Sequence, residues 1–128
     1  MNLQSERIKI IKQIDDFFNH ISQKPERMNI DEFIIVVESI IPVHAGHEIT
    51  NFDQVDLLLS VYPYLYQKMI RLYAYFIHRT RIAVQAKDRN YADMMRSYRD
   101  PLGELLKAVK MQYDSLSRRI TNNMERRG

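Results

Sequence analysis

Arg71, Tyr75, His78, Ile82, Gln85, Arg89, Ala92, Arg96 and Arg99 are spaced alternately by four and three residues. On one continuous helix that spacing lays them along a single side. The row holds no Asp or Glu, and Arg81 lies at its border. Arginine suits phosphate because its planar fork donates paired hydrogen bonds and stays charged. A row of such groups beside tyrosine rings suits a single-stranded nucleic acid, whose bases stack on aromatic faces. The candidate phosphate contacts are therefore Arg71, Arg81, Lys87, Arg89, Arg96 and Arg99, supported by Arg118 and Arg119 near the end of the chain. Tyr75 and Tyr91 are the candidate stacking rings. The plain alternative is a solvated face on which Asp88 and Asp93 pair with the arginines, since exposed pairs stabilise little. Arg126 and Arg127 have a sufficient local reason, because cations favour the C-terminus of a helix.

Charge is distributed unevenly along the chain. The net charge is only +3 over 128 residues. Residues 1–64 hold 5 Lys/Arg against 10 Asp/Glu, and residues 65–128 hold 14 against 6. The first half is thus acidic and the second basic, which points to an anionic partner for the second half. The acidic half is expected to serve assembly or to meet partner proteins.

Other chemistry is poorly represented. The absence of cysteine excludes a disulfide framework, a thiol nucleophile and a Cys-based zinc site. His44 and His47, with Glu48 beside the second, are a weak metal set without further ligands. Asp15-Asp16 and Asp31-Glu32 read as helix-surface and cap residues. No phosphate-cradling glycine loop, GxSxG or HExxH pattern occurs. The expectation is a protein that is not an enzyme and carries no cofactor or metal. No apolar run approaches the roughly 20 residues that span a bilayer, and MNLQSERIKIIKQ lacks the apolar core of a signal peptide. A cytoplasmic location is expected, that of the host if the chain is phage-encoded.

The elements that must position the row are helices. Glycine occurs only at 46, 103 and 128, and no stretch alternates as a strand would. A first helix is expected over 3–20, with Ile10, Ile14, Phe17 and Ile21 as its apolar stripe, widened by Ile11 and Phe18. Asn29 followed by Glu32 is a capping-box pattern that opens a second helix bearing Phe33, Ile34, Val37, Ile40 and Ile41, ended by Pro42. PVHAGHEITN reads as a loop. From residue 51 to 99 only Pro63 interrupts, either as a kink or as the start of a new helix. Asp100-Pro101 reads as a stop and restart, Asp as N-cap and Pro in the first turn, with a last helix to about 126.

Two heptad seams set the expected architecture. Val55, Leu58, Tyr62, Leu65, Met69, Leu72 and Phe76 form one. Leu102, Leu106, Val109, Tyr113, Leu116 and Ile120 form the other. A second stripe on the long helix runs Tyr66, Ile70, Tyr73, Ile77, Thr80, Val84, Lys87, Tyr91, Met94 and Tyr98. The expected fold is a single all-α domain over 1–128, with acidic helices in 1–50 and a basic long helix and C-terminal helix in 51–128. A small bundle of the first two helices and residues 52–77 would project an antiparallel hairpin of 78–99 against 101–126. In that hairpin Arg118 and Arg119 would lie near Arg81. Such seams also join subunits, so a homo-oligomer is expected; a closed monomeric four-helix bundle is the alternative.

The segment IAVQAKDRNYADMMRS, followed by a helix ending LLKAVKMQYDSLSRRITNNMERRG, resembles the UvsY-type recombination mediators of T-even-like phages. The likeness covers roughly residues 65–128. It rests on a Lys-x-Arg pair shortly before a tyrosine, here Lys87, Arg89 and Tyr91, and on the layout of the closing helix. The resemblance implies a small helical protein that binds single-stranded DNA and assembles into rings. It also implies partners: a recombinase to be loaded and a single-strand-binding protein to be displaced, with Lys87 and Arg89 on the DNA. Two readings from other classes stand beside it. One is a helical adaptor or inhibitor, such as a phage anti-defence protein, whose basic face grips an acidic protein. The other is a structural virion or coiled-coil component.

Overall fold

A computed structural model describes residues 3–40 and 52–127, and the side chains of 4–40 and 56–118. The PVHAGHEITN segment, His44, His47, Ile41 and Pro42 lie outside the described residues, as do the side chains of Val55, Arg119, Ile120, Arg126 and Arg127. The described chain is all-α: α1 at Leu3–Gln23, a short 3-10 turn at Pro25–Arg27, α2 at Ile30–Ile40, α3 at Phe52–Gln85 and α4 at Arg89–Arg127. Among the described residues no helix is long and apolar enough to cross a membrane.

The N-terminal signals act as their chemistry requires. Asn29 Oδ1 accepts hydrogen bonds from the backbone N–H groups of Asp31 at 3.0 Å and Glu32 at 3.2 Å, meeting two donors that the first turn of α2 leaves open. The α1 stripe buries Ile14, Phe18 and Ile21 in the core that also holds Phe33 and Val37 of α2. Phe17 stacks on Phe33 with ring centroids 5.5 Å apart. On α3 every described member of the first seam, from Leu58 to Phe76, is buried. On α4 Leu102, Leu106, Val109 and Leu116 are buried as well.

The expected hairpin is corrected in its turn, its pairing and its relation to the bundle. The chain does not run as one helix through 78–99 and does not restart at Asp100-Pro101. It turns at Ala86–Lys87–Asp88, and Pro101 lies inside α4. The turn is a Schellman closure: Asp88 N–H donates to Ala83 O at 2.9 Å and Lys87 N–H to Val84 O at 3.1 Å. Lys87 takes the left-handed position, with φ 57°, where glycine is the usual residue. Asp88 then caps α4, its Oδ1 accepting from Tyr91 N–H at 3.1 Å. Proline in a helix interior costs about 3 kcal/mol. At Pro101 that cost is met by a buried face that continues across it from Ala92 and Met95 to Leu102, Leu105 and Leu106. α3 likewise continues through Pro63, so no new helix begins there.

The pairing of α3 with α4 follows from this turn. Tyr62 meets Tyr113 with ring centroids 6.4 Å apart, and Phe76 stacks on Tyr98 at 4.8 Å. Residues of α1, α2, α3 and α4 share one core cluster. Thus 102–116 belongs to the bundle and not to a projecting arm, and the exposed end of the hairpin is the turn region around 81–90. Asp15 of α1 takes a hydrogen bond from the Tyr64 hydroxyl and pairs with Lys68 at 3.6 Å, fixing α1 on α3.

Candidate functional site

Because the chain reverses at 86–88, the nine-position row is folded back on itself. Arg81 on α3 and Arg96 and Arg99 on α4 line one cleft with Ile77, Thr80, Val84 and Gln85. Lys87, Asp88, Arg89 and Arg96 line a second cleft with Ala83, Val84 and Ala92. The two share Val84 and Arg96 and hold about 420 and 380 Å³. The candidates Arg81, Lys87, Arg89, Arg96 and Arg99 are therefore brought together, drawn from both arms of the hairpin. Ala92, expected on the open row, is 2% exposed and packs inside the tip.

The local electrostatics separate these cations. Arg96 donates to Asp93 at 3.1 Å and Arg99 to Asp100 at 2.8 Å. Among the described residues no carboxylate lies within ion-pair distance of Arg81, Lys87 or Arg89. Their charge is thus open to a ligand. The left-handed turn at Lys87 sets its exposed side chain at the apex between the arms.

The remaining candidates lie elsewhere. Tyr91 sits about 140° round α4 from Arg96 at 100° per residue. Its hydroxyl donates to the Glu26 carboxylate on the 3-10 turn, and the Tyr98 hydroxyl donates to Glu26 O at 2.7 Å. Tyr75 belongs to the same side: Arg79 Nε donates to its hydroxyl at 3.4 Å and the guanidinium lies 5.6 Å from its ring centroid. Tyr91 and Tyr98 hold the turn onto the hairpin, and Tyr75 is engaged by Arg79 on its own helix. Arg71 is exposed near Tyr64, on the side where α1 packs. Arg118 is not near Arg81. It lies 22 residues beyond Arg96 on α4, roughly 33 Å along the axis at 1.5 Å per residue.

The Tyr91 pKa is raised from 10.0 to about 12, first by the hydrogen bond to Glu26, then by loss of water on burial and by repulsion from the Glu26 carboxylate. A phenol whose pKa is raised on folding adds stability below its unfolded pKa and loses it as pH climbs through the folded value. Stability is expected to fall as pH rises from about 10 to 12. Tyr91→Phe is expected to flatten part of that fall in thermal melts recorded across this range; an unchanged alkaline profile would remove Tyr91 from the clamp.

Sequence reading missed two features of this region. The turn at Lys87 carries no glycine, so its one signal was Asp88 as an N-cap. The second was the side of α3 that carries Tyr66, Ile70, Tyr73 and Ile77. The spacing identified it as a stripe, but its place is beside the basic clefts: Ile77 lines one of them, and Tyr73 lies across α4 at Gly103. A Cβ on Gly103 would meet the Tyr73 ring at 3.2 Å. Among the described residues no group of three His, Asp or Glu side chains is placed to hold a metal ion. Comparison with protein-family models, curated proteins and solved structures finds no match for the chain.

Proposed function

We propose that the chain binds single-stranded DNA at the hairpin tip and acts as a recombination mediator of the UvsY type, assembling as a homo-oligomer. One observation carries the binding: five cations from two helix arms and the turn between them line adjoining clefts, and three of them have no carboxylate partner among the described residues. Backbone phosphates need clustered, unneutralised cations, and their release of counterions makes such binding fall with salt. The mediator role, with a recombinase and a single-strand-binding protein as partners, rests on the resemblance of 65–128. Lys87 and Arg89, the pair that carries that resemblance, are at the turn and in one cleft.

Lys87→Gly separates binding from folding. Glycine relieves the left-handed backbone, for an expected gain of about 1 kcal/mol in stability, while one cation leaves the cleft. The expected result is a higher melting temperature together with weaker binding to single-stranded oligonucleotides and a salt slope reduced by roughly 0.7. Unchanged affinity in the stabilised variant would exclude Lys87 from the interface.

The adaptor reading has its own support in Ile82, Val84 and Met94, which are 38%, 52% and 43% exposed around the tip. Apolar groups among cations suit an acidic protein surface. A panel of unrelated single-stranded oligonucleotides decides between the two: a DNA binder retards all of them, and an adaptor retards none and retains one protein partner.

A further inference from the structure

At the far end of the hairpin from the tip, α3 and α4 part around a cleft of about 310 Å³. It is mostly apolar, walled by Tyr62, Tyr66, Tyr113 and Val109, with Lys110 and Asp114 also on its lining. Its volume is at the small end of ligand pockets, which run roughly 300–1,000 Å³. The Tyr62 and Tyr113 rings meet at 64° and form a corner; Tyr62 is buried at its base, while Tyr66 and Tyr113 are half-buried. Burial pushes the Tyr62 phenol pKa up, so that wall stays neutral. Tyr66 is on the stripe that continues through Tyr73 to Ile77 in the basic cleft. At 1.5 Å per residue, Tyr66 and Arg81 are roughly 22 Å apart along α3. The hairpin therefore carries cations at its tip and, further along the same two helices, a separate aromatic cleft flanked by a lysine.

We propose that this cleft takes an unpaired nucleobase of the strand whose phosphates the tip holds. The proposal rests on the single-strand reading above and assigns the stacking role to Tyr66 and Tyr113 in place of Tyr75 and Tyr91. Charge complementarity selects the occupant: Lys110 meets the phosphate next to the base, continuing the cations of the tip along α4. Asp114 is an acceptor only, so it favours a base that presents an exocyclic amine. Cytosine offers that donor at the open corner of its edge, whereas the one ring donor of thymine, N3–H, lies between two carbonyl oxygens that repel a carboxylate.

The test is fluorescence anisotropy of labelled oligo-dC and oligo-dT of about 20 nucleotides, longer than typical single-strand site sizes, with the full chain. Oligo-dC is expected to bind more tightly than oligo-dT. Tyr66→Ala is expected to weaken binding about tenfold, in the range of one lost stacked base. Asp114→Asn is expected to abolish the dC preference, read as the ratio of the two affinities in the same variant, and it removes no packing. Equal affinity for the two strands, with both variants like the parent, overturns the cleft and leaves the tip reading standing. Failure of the parent to bind either strand overturns the tip reading itself. A Tyr66→Ala variant that dissociates in sedimentation velocity but binds DNA as the parent does would assign the cleft to a second copy of the chain and overturn the proposal.

Discussion

Arg89→Glu combined with Arg96→Glu is expected to weaken binding of a single-stranded oligonucleotide by about a hundredfold or more at low salt. Each lost phosphate contact lowers the dependence of log K on log salt by roughly 0.7, so the slope is expected to fall by about 1.4. The two reversed charges also repel the strand. Both residues line the cleft nearest the turn. The fold has little at stake in them. Arg89 is exposed, and the Arg96–Asp93 pair is a surface pair at 3.1 Å with the arginine side chain 42% exposed. Such pairs contribute about 0–1 kcal/mol. Circular dichroism is expected to show unchanged helix content and a nearly unchanged melt. Unchanged DNA affinity in the folded variant would remove the tip clefts as the interface.

Phe76→Ala is expected to cost about 3–5 kcal/mol, the usual range for a large aromatic deleted from a core. Phe76 is 0% exposed, stacks on Tyr98 at 4.8 Å and meets Tyr75 edge-on at 5.3 Å. Tyr98 in turn holds the backbone of Glu26. Losing the Phe76 ring therefore loosens α3 from α4 and frees the 3-10 turn that clamps the hairpin. A domain of this size has about 5–15 kcal/mol in all, so the melting temperature is expected to drop by about 10–20 °C. A drop under about 3 °C would mean that Phe76 is not central to the packing.

The helix class and the core faces were legible because they are periodic. Leu58 through Phe76 and Leu102 through Leu116 repeat at heptad spacing, and the structure buries those faces. The Asn29 cap was legible because a short polar side chain before an apolar run has one common local use. The turn was not legible. A Schellman closure is normally signalled by glycine, and here Lys87 occupies the strained position. Proline misled in the opposite direction. Asp100-Pro101 is a strong local stop signal, yet the burial of Met95, Leu102 and Leu106 on one continuous face outweighs it. This is tertiary packing overriding local preference.

That single displaced turn accounts for most of the differences in the candidate site. A break at 86–88 in place of 100–101 puts Arg81 and Arg89 on opposite arms, brings Arg96 and Arg99 back beside Arg81, and sends Arg118 to the other end of the hairpin. Spacing assigned Arg71 and Tyr75 to the same row because it presumed one uninterrupted helix. Residue types that suit phosphate can be read from the sequence, but their grouping depends on topology that no short window carries. Tyr66 and Tyr73 were read as seam residues for the same reason. Which side of a helix faces a groove depends on where its partner helix lies.

The most direct test of single-strand binding is the anisotropy of a labelled poly-dT oligonucleotide titrated with the intact chain at low and at moderate salt. Tight binding that weakens steeply as salt rises is the predicted result, because the Arg81, Lys87, Arg89, Arg96 and Arg99 cluster would be exchanging counterions for phosphates. No binding even at low salt would contradict it, and would leave the tip as a surface for an acidic protein.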